Sequence, residues 1–372
     1  MQFRIITGLY DKRGMHVMDK MERAAVQKKY RGVKIFLSVL GVLAALLLIL
    51  YFAVTTNPQI AVGLIQKLIY GDTAFNSYKP FYESINEKKE NGQYLISEVE
   101  YDAEYPNSFL DVIYTDENLQ TDRPTLFYFH GGGFFAGSKN MGDPMAATEA
   151  TALLDDICAQ GYNIVNVDYA LVPDCRFPVP LIQANRAINY MMRHKDEYYL
   201  NMDHVIIMGS SAGAIMASQL GSIVTNPVYA ELLGVMPALT SEQVSAVVLD
   251  DAPLDYKNFT LATKILVGNY VKNSIYLSKE DIRHYNNIES LTEEYPPAFL
   301  LGSEYRHDMN VMHNKLNELG CENILVDPYA EYGEIKAHCF IGMERTDSVA
   351  KEAFGRLIAF LNKKTREEKC CE

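Results

Sequence analysis

Residues 35–54 read IFLSVLGVLAALLLILYFAV, with no charged side chain and one polar one, Ser38. A soluble core helix is seldom apolar on every face. As a helix rising about 1.5 Å per residue, twenty residues cross a hydrocarbon layer of about 30 Å. A cleaved leader usually has an apolar region of about 7–15 residues and a small-residue cleavage site. This run is longer, and YFAVTTN offers a poor site. An uncleaved transmembrane anchor is therefore expected over residues 35–56.

The flanks give the anchor a direction. Residues 1–34 hold nine Lys/Arg and three Asp/Glu, a net of +6; the whole chain is −13, so the remainder is near −19. Lys28, Lys29, Arg31 and Lys34 directly precede the span, and TTNPQIAVGLIQKLIYGD after it has one Lys. The positive-inside rule then predicts a cytoplasmic tail over 1–34 and an extracytoplasmic domain over 57–372. The acidic balance of that domain argues against nucleic acid as a partner. None of the six cysteines has the spacing of a zinc site or a CxxC pair; Cys370 and Cys371, in a charged tail, are expected at the surface and the others as buried free thiols. No cofactor is expected.

Beyond the anchor the pattern alternates. Residues 57–90 read as one or two amphipathic helices, a lead-in reaching to residue 94. Strand-like runs follow at YLISEVEY, FLDVIYT, TLFYFH, YNIVNVDY, HVIIMG, VSAVVLDDAP, PAFLLGS and NILVDPY. From TLFYFH onward, helical stretches separate most of them, including 146–161, 180–198, 211–225, 309–320 and 347–364. Alternating strands and helices predict a largely parallel sheet covered on both faces. Residues 226–241 and 256–292 interrupt the alternation and are long for loops, so a lid is expected there.

Three short stretches carry chemistry. GSSAG (209–213) fits G-x-S-x-G, after a strand and before a helix. Small residues at 209 and 213 allow a sharp elbow that lifts the Ser211 hydroxyl from the sheet and leaves the Ala212 amide at a helix N-terminus. HGGG (130–133) follows the strand TLFYFH. Glycines there let backbone amides approach a substrate, as an oxyanion requires. The loop does not fit the phosphate motifs G-x-x-x-x-G-K-[ST] or G-x-G-x-x-G. His338, in AHCF, lies 127 residues beyond Ser211, between the last predicted strand and the last helix. A general base for the serine is needed at such a place.

Together these stretches resemble the hormone-sensitive-lipase group of α/β-hydrolases. HGGG is similar to that group's oxyanion motif, VDYALVPDCRFP (167–178) to its DYRLAPExxFP stretch, GSSAG to its GDSAG elbow and HCF to its HGF. The resemblance covers about residues 95–362, and the N-terminal anchor is similar to that of membrane-bound arylacetamide deacetylases. It implies an α/β-hydrolase fold with a helical lid and a serine carboxylesterase acting on small-molecule esters. Ser211 would be the nucleophile and His338 the base. Gly131, Gly132 and Ala212 would supply oxyanion amides, and His130 would brace the loop. Ser210, Ala170 and Cys339 depart from the group's Asp, Arg and Gly, and none of these changes removes a catalytic atom.

The third triad member is less direct. The group's acid follows the strand after the lid, in a stretch like PPALIVTAxxDPLxD; here PPAFLLGSEYRHDMN (296–310) puts Arg306 at the acid position. Arginine is permanently cationic and cannot serve. Asp308 is the expected acid, Glu304 the alternative, with Asp251 and Asp255 next in line. A peptidase or amidase on the same triad, or an inactive hydrolase fold used for binding, are the competing functions.

Overall fold

The computed structural model describes the backbone of residues 4–144 and 150–366, and side chains for 17–144 and 151–365. The chain forms two units, Met1–Val54 and Thr55–Glu372. The first is most of a single helix, α1 (Arg4–Thr56). Its described apolar side chains from Val17 to Phe52 are exposed, and its residues 17–56 are long and apolar enough to cross a membrane.

The second unit opens with α2 (Gln59–Tyr70), then β1 (Asn86–Lys88), β2 (Tyr94–Glu100), β3 (Phe109–Tyr114) and β4 (Pro124–Phe129). There follow α3 (Ala150–Ala159), β5 (Asn163–Val167), α4 (Val179–Arg193), β6 (Asn201–Ser210), α5 (Ala212–Thr225), α6 (Pro227–Leu233) and β7 (Val244–Asp250). Next come α7 (Leu261–Lys272), α8 (Lys279–Tyr285), β8 (Ala298–Leu301), α9 (Arg306–Glu318) and β9 (Asn323–Val326). The described chain closes with α10 (Pro328–Tyr332), α11 (Phe340–Met343) and α12 (Ser348–Arg366).

The strands form one sheet in the order β1-β2-β3-β5-β4-β6-β7-β8-β9. The β1, β2 and β3 pairings are antiparallel, and the pairings from β5 to β9 are parallel. The period of two along each strand divides the core. Phe127, Phe129, Ile207, Val247 and Leu249 join one apolar cluster; Leu126, Tyr128, Ile206, Met208, Ala246 and Val248 join another. Both faces are buried, which explains why these strands read as continuous apolar runs.

One expectation changes. The second half of the lead-in is not helical: only α2 forms there, and residues 71–85 run through turns and irregular backbone into β1. Pro80 removes a donor and obstructs the preceding turn in that stretch. The stretch 256–292 is an insertion with α7 and α8, and 226–241 contains α6. Cys158, Cys321 and Cys339 are buried free thiols and Cys175 is a half-buried one; Cys370 and Cys371 lie outside the described residues.

Candidate active site

Between β6 and α5 the chain turns through one residue. Ser211 has φ 53° and ψ −115°, a left-sided conformation that costs a non-glycine residue free energy. The flanking glycines are required by close approach. A Cβ on Gly209 would run into the Gly213 backbone, and one on Gly213 into the Phe129 carbonyl at the end of β4. The Ser211 amide donates to the Asp250 carbonyl at 2.8 Å, tying the corner to the end of β7. Ala212 begins α5, where the first amides of a helix have no intrahelical acceptor and form its positive end.

The end of β7 carries two adjacent buried carboxylates. Asp250 accepts from the Ser210 hydroxyl at 2.9 Å, which itself accepts from Tyr128 at 3.0 Å. Burial, with the charge of Asp251, pushes Asp250 up to about 7. Asp251 follows with φ 60°. Its carboxylate accepts from the Ser303 amide (2.9 Å) and hydroxyl (2.6 Å), the Glu304 amide (3.0 Å), the Tyr305 amide (2.8 Å) and Nδ1 of His338 (2.6 Å). Burial works to raise its pKa. The hydrogen bond and charge of His338, with the Ser303 donors, outweigh burial and hold it below the usual carboxylate range.

His338 lies between α10 and α11. Burial disfavours its charged form, but the hydrogen bond and charge of Asp251, then Asp143 and Glu304, raise the imidazole from 6.5 to about 9. Cys339, where the resembling group has glycine, sits in the left-handed region at φ 54°, ψ 47°. Its thiol donates to the Asp250 carbonyl at 3.7 Å, so Ser211 and the residue after His338 share one acceptor.

The expected acid is elsewhere. Asp308, in the first turn of α9, accepts from the amides of Leu254 (2.8 Å) and Asp255 (2.6 Å). It pins the segment leaving β7 and does not meet His338. Glu304 is 60% exposed and its carboxylate lies 3.6 Å from His338 Nδ1, beyond hydrogen-bond reach. Asp255 faces His307 at 3.4 Å. The reason is topological: the amides of residues 303–305 point back at the end of β7, so β8 supplies donors and β7 the carboxylate. The signal was the pair of acids closing the apolar run VSAVVLDD.

The glycine loop after β4 is held on all sides. Gly132 has φ 103° and accepts from the Phe135 and Ala136 amides at 3.1 and 3.0 Å. A Cβ on Gly132 would meet the Ala136 carbonyl, and one on Gly131 the Asp143 carboxylate. His130 Nδ1 donates to the Gly131 carbonyl at 2.7 Å, and its ring stacks on Tyr169 at 4.2 Å. Burial presses His130 down to about 4, so it stays neutral and acts as a brace. From outside, Gln66 donates to the Phe135 and Val172 carbonyls at 2.9 and 2.6 Å, and the Gly137 amide to the Tyr70 hydroxyl at 2.9 Å. Phe134 stacks on Tyr270 of α7 at 3.5 Å, joining the loop to the insertion. Among the described residues, no group of three or more His, Cys, Asp or Glu is placed to hold a metal ion.

A mostly parallel sheet with a serine on its strand-to-helix corner defines an α/β-hydrolase, and the relatives place it in the esterase class. The chain belongs to the BD-FAE family, whose profile matches residues 110–319. It is similar to the acetyl esterase of Salmonella paratyphi B, 26% identical over 256 residues covering 63% of this chain and 70% of that one. Its fold is similar to esterase B from Lactobacillus rhamnosis (TM-score 0.62, 16% identity, 83% of this chain and 93% of the other), also solved inhibited by a tributyrin phosphonate. A fungal esterase from Rhizomucor miehei gives a TM-score of 0.56 at 20% identity, over 77% of this chain and 87% of that chain.

Proposed function

We propose that the protein is a membrane-anchored serine carboxylesterase using Ser211, His338 and Asp251. The Ser211 hydroxyl attacks an ester carbonyl while His338 takes its proton through Nε2. Asp251, on Nδ1, fixes the tautomer and balances the imidazolium that forms. The oxyanion is met by the amides of Gly131, Gly132 and Ala212. Collapse expels the alcohol, protonated by His338. Water, deprotonated by the same imidazole, then cleaves the acyl-enzyme and restores the serine.

The observation that carries this reading is the 2.6 Å contact of His338 with Asp251, one residue after the carbonyl that holds the Ser211 amide. The similarity to proteins named acetyl esterases supports an acetyl or other short acyl group on the substrate. The many Tyr and Phe side chains around the insertion also suit an apolar pocket that would accept longer chains. The uncharged run in α1 supports anchoring, with residues 1–34 cytoplasmic and the catalytic unit outside. Hydrolysis of p-nitrophenyl esters from acetate to palmitate by the full chain, wild type against Ser211→Ala, tests the activity and ranks the acyl groups. Turnover that survives the substitution would refute the mechanism.

A further inference from the structure

The helix that follows the span has two unlike faces. On the inner face of α2, Val62 and Gln66 are buried, and Gln66 holds the carbonyls of Phe135 and Val172. Tyr70 at its end takes the Gly137 amide. Gln59 at its start is fixed by Asn273 to its amide (2.9 Å) and by Asn269 to its side chain (3.0 Å). The orientation of α2 on the catalytic unit is therefore set by hydrogen bonds at both ends and the middle.

The outer face is apolar. Ile60, Leu64 and Leu68, at the i, i+4, i+8 spacing of one helix face, are 43%, 65% and 86% exposed. Lys67 lies beside Leu68 on that face and is exposed. Only Asn57 and Pro58 separate α1 from α2. Three residue steps reach at most about 10 Å, so α2 starts within that distance of the end of α1. Two residues of the segment after α7 are tied to that same end of α1. The Ile275 amide donates to the Thr55 carbonyl at 3.0 Å, and the hydroxyl of exposed Tyr276 donates to Thr55 Oγ1 at 3.2 Å. Tyrosine and lysine beside exposed leucines are the residues of a membrane–water boundary.

We infer that α2 is an interfacial helix whose Ile60, Leu64 and Leu68 lie in the leaflet next to the anchor, while its opposite face holds the glycine loop of the candidate active site. The occupant is lipid rather than a second protein, because the covalent tether keeps α2 close to a bilayer surface whenever the span is inserted. The inference rests on the anchor reading. It adds that the catalytic unit sits on the bilayer in one orientation, with a single helix touching both lipid and the loop.

The chain contains no tryptophan, so one introduced tryptophan is a unique reporter. Three full-length variants are compared in phosphatidylcholine–phosphatidylglycerol vesicles, with and without lipid brominated on its acyl chains: Val42→Trp in the span, Leu68→Trp on α2, and Ile335→Trp as control. Ile335 is 87% exposed, in the loop between α10 and α11. The expected result is blue-shifted emission and quenching by brominated lipid for Val42→Trp and Leu68→Trp, and neither for Ile335→Trp. Quenching at residue 42 without quenching at residue 68 would overturn this inference and leave the anchor standing. A blue shift at residue 68 without quenching would put protein on that face and also overturn it. Equal quenching at 68 and 335 would rule out a fixed orientation. Absence of quenching at residue 42 would remove the anchor reading and this inference with it.

Discussion

His338 donates through Nδ1 to Asp251 at 2.6 Å, and Asp251 takes four further donors from residues 303–305. The donors keep Asp251 ionised despite burial, as the proposed triad acid would need to be to balance a transient imidazolium. Asp251→Asn should lower kcat by about 10⁴, as loss of a triad carboxylate does when the histidine takes the wrong tautomer. Glu304→Gln should leave kcat within a few-fold of wild type. Asp308→Asn should act on stability instead, costing about 1–3 kcal/mol because it weakens the acceptor of two buried amides. Steady-state kinetics and urea midpoints on the three variants separate the roles. A large kcat loss in Asp308→Asn at full stability would move the acid back to α9.

The same pair sets the pH dependence. As the proposed base, His338 would have to be neutral to accept the serine proton, and its pKa in the folded chain is raised to about 9. The value of kcat/KM should therefore rise with pH through about 9. Stability runs the other way. A group raised from 6.5 to about 9 contributes stability fully present below 6.5 and lost as pH climbs through about 9. A pH–rate profile with a parallel series of urea midpoints checks both. A rate limb near 6.5, with stability flat from 6.5 to 9, would contradict the coupling.

Ser210 offers a test against the resembling group, which has Asp before the nucleophile. Here the Ser210 hydroxyl donates to buried Asp250. Ser210→Asp would replace that donor with a second carboxylate beside one already pushed up to about 7. The substitution should destabilise the fold by on the order of 3 kcal/mol, as an unpaired buried charge does, and more as pH rises. Denaturation midpoints at several pH values report it. An unchanged or raised midpoint would mean that the site relaxes to pair the new charge.

Gly132→Val should reduce kcat by about 10²–10³, the cost of losing an oxyanion donor. The substitution puts a branched side chain where φ is 103° and where even a Cβ would meet the Ala136 carbonyl. The Gln66 and Tyr70 contacts should keep the loop in place, so circular dichroism should stay unchanged while kcat falls. Unaltered kcat would reduce HGGG to a turn.

How much of this was legible follows from where each signal sits in the chain. The serine corner and the glycine loop are contiguous motifs, and their small residues are dictated by backbone approaches within a few ångströms. The sheet was legible because strands buried on both faces need unbroken apolar runs. The partner of His338 was not, because it depends on which of two neighbouring strands ends in a carboxylate and which in amides. Alignment to the strand after the lid favoured Asp308; the adjacent acids in VSAVVLDD pointed to Asp251. The second half of the lead-in has the apolar spacing of a helix, but Pro80 within it removes a donor and blocks the preceding turn. Cys339 could be noted as a departure, but that its backbone is left-handed needed the structure.

The central claim is that Ser211 is the nucleophile of a serine esterase. The most direct measurement is labelling of the folded full-length chain with a fluorophosphonate, followed by intact mass and peptide mapping. One phosphonyl group per chain on Ser211, with activity lost in proportion and no labelling of Ser211→Ala, is the predicted result. A chain that hydrolyses esters while Ser211 stays unmodified, or that loses activity through labelling at another residue, would contradict it.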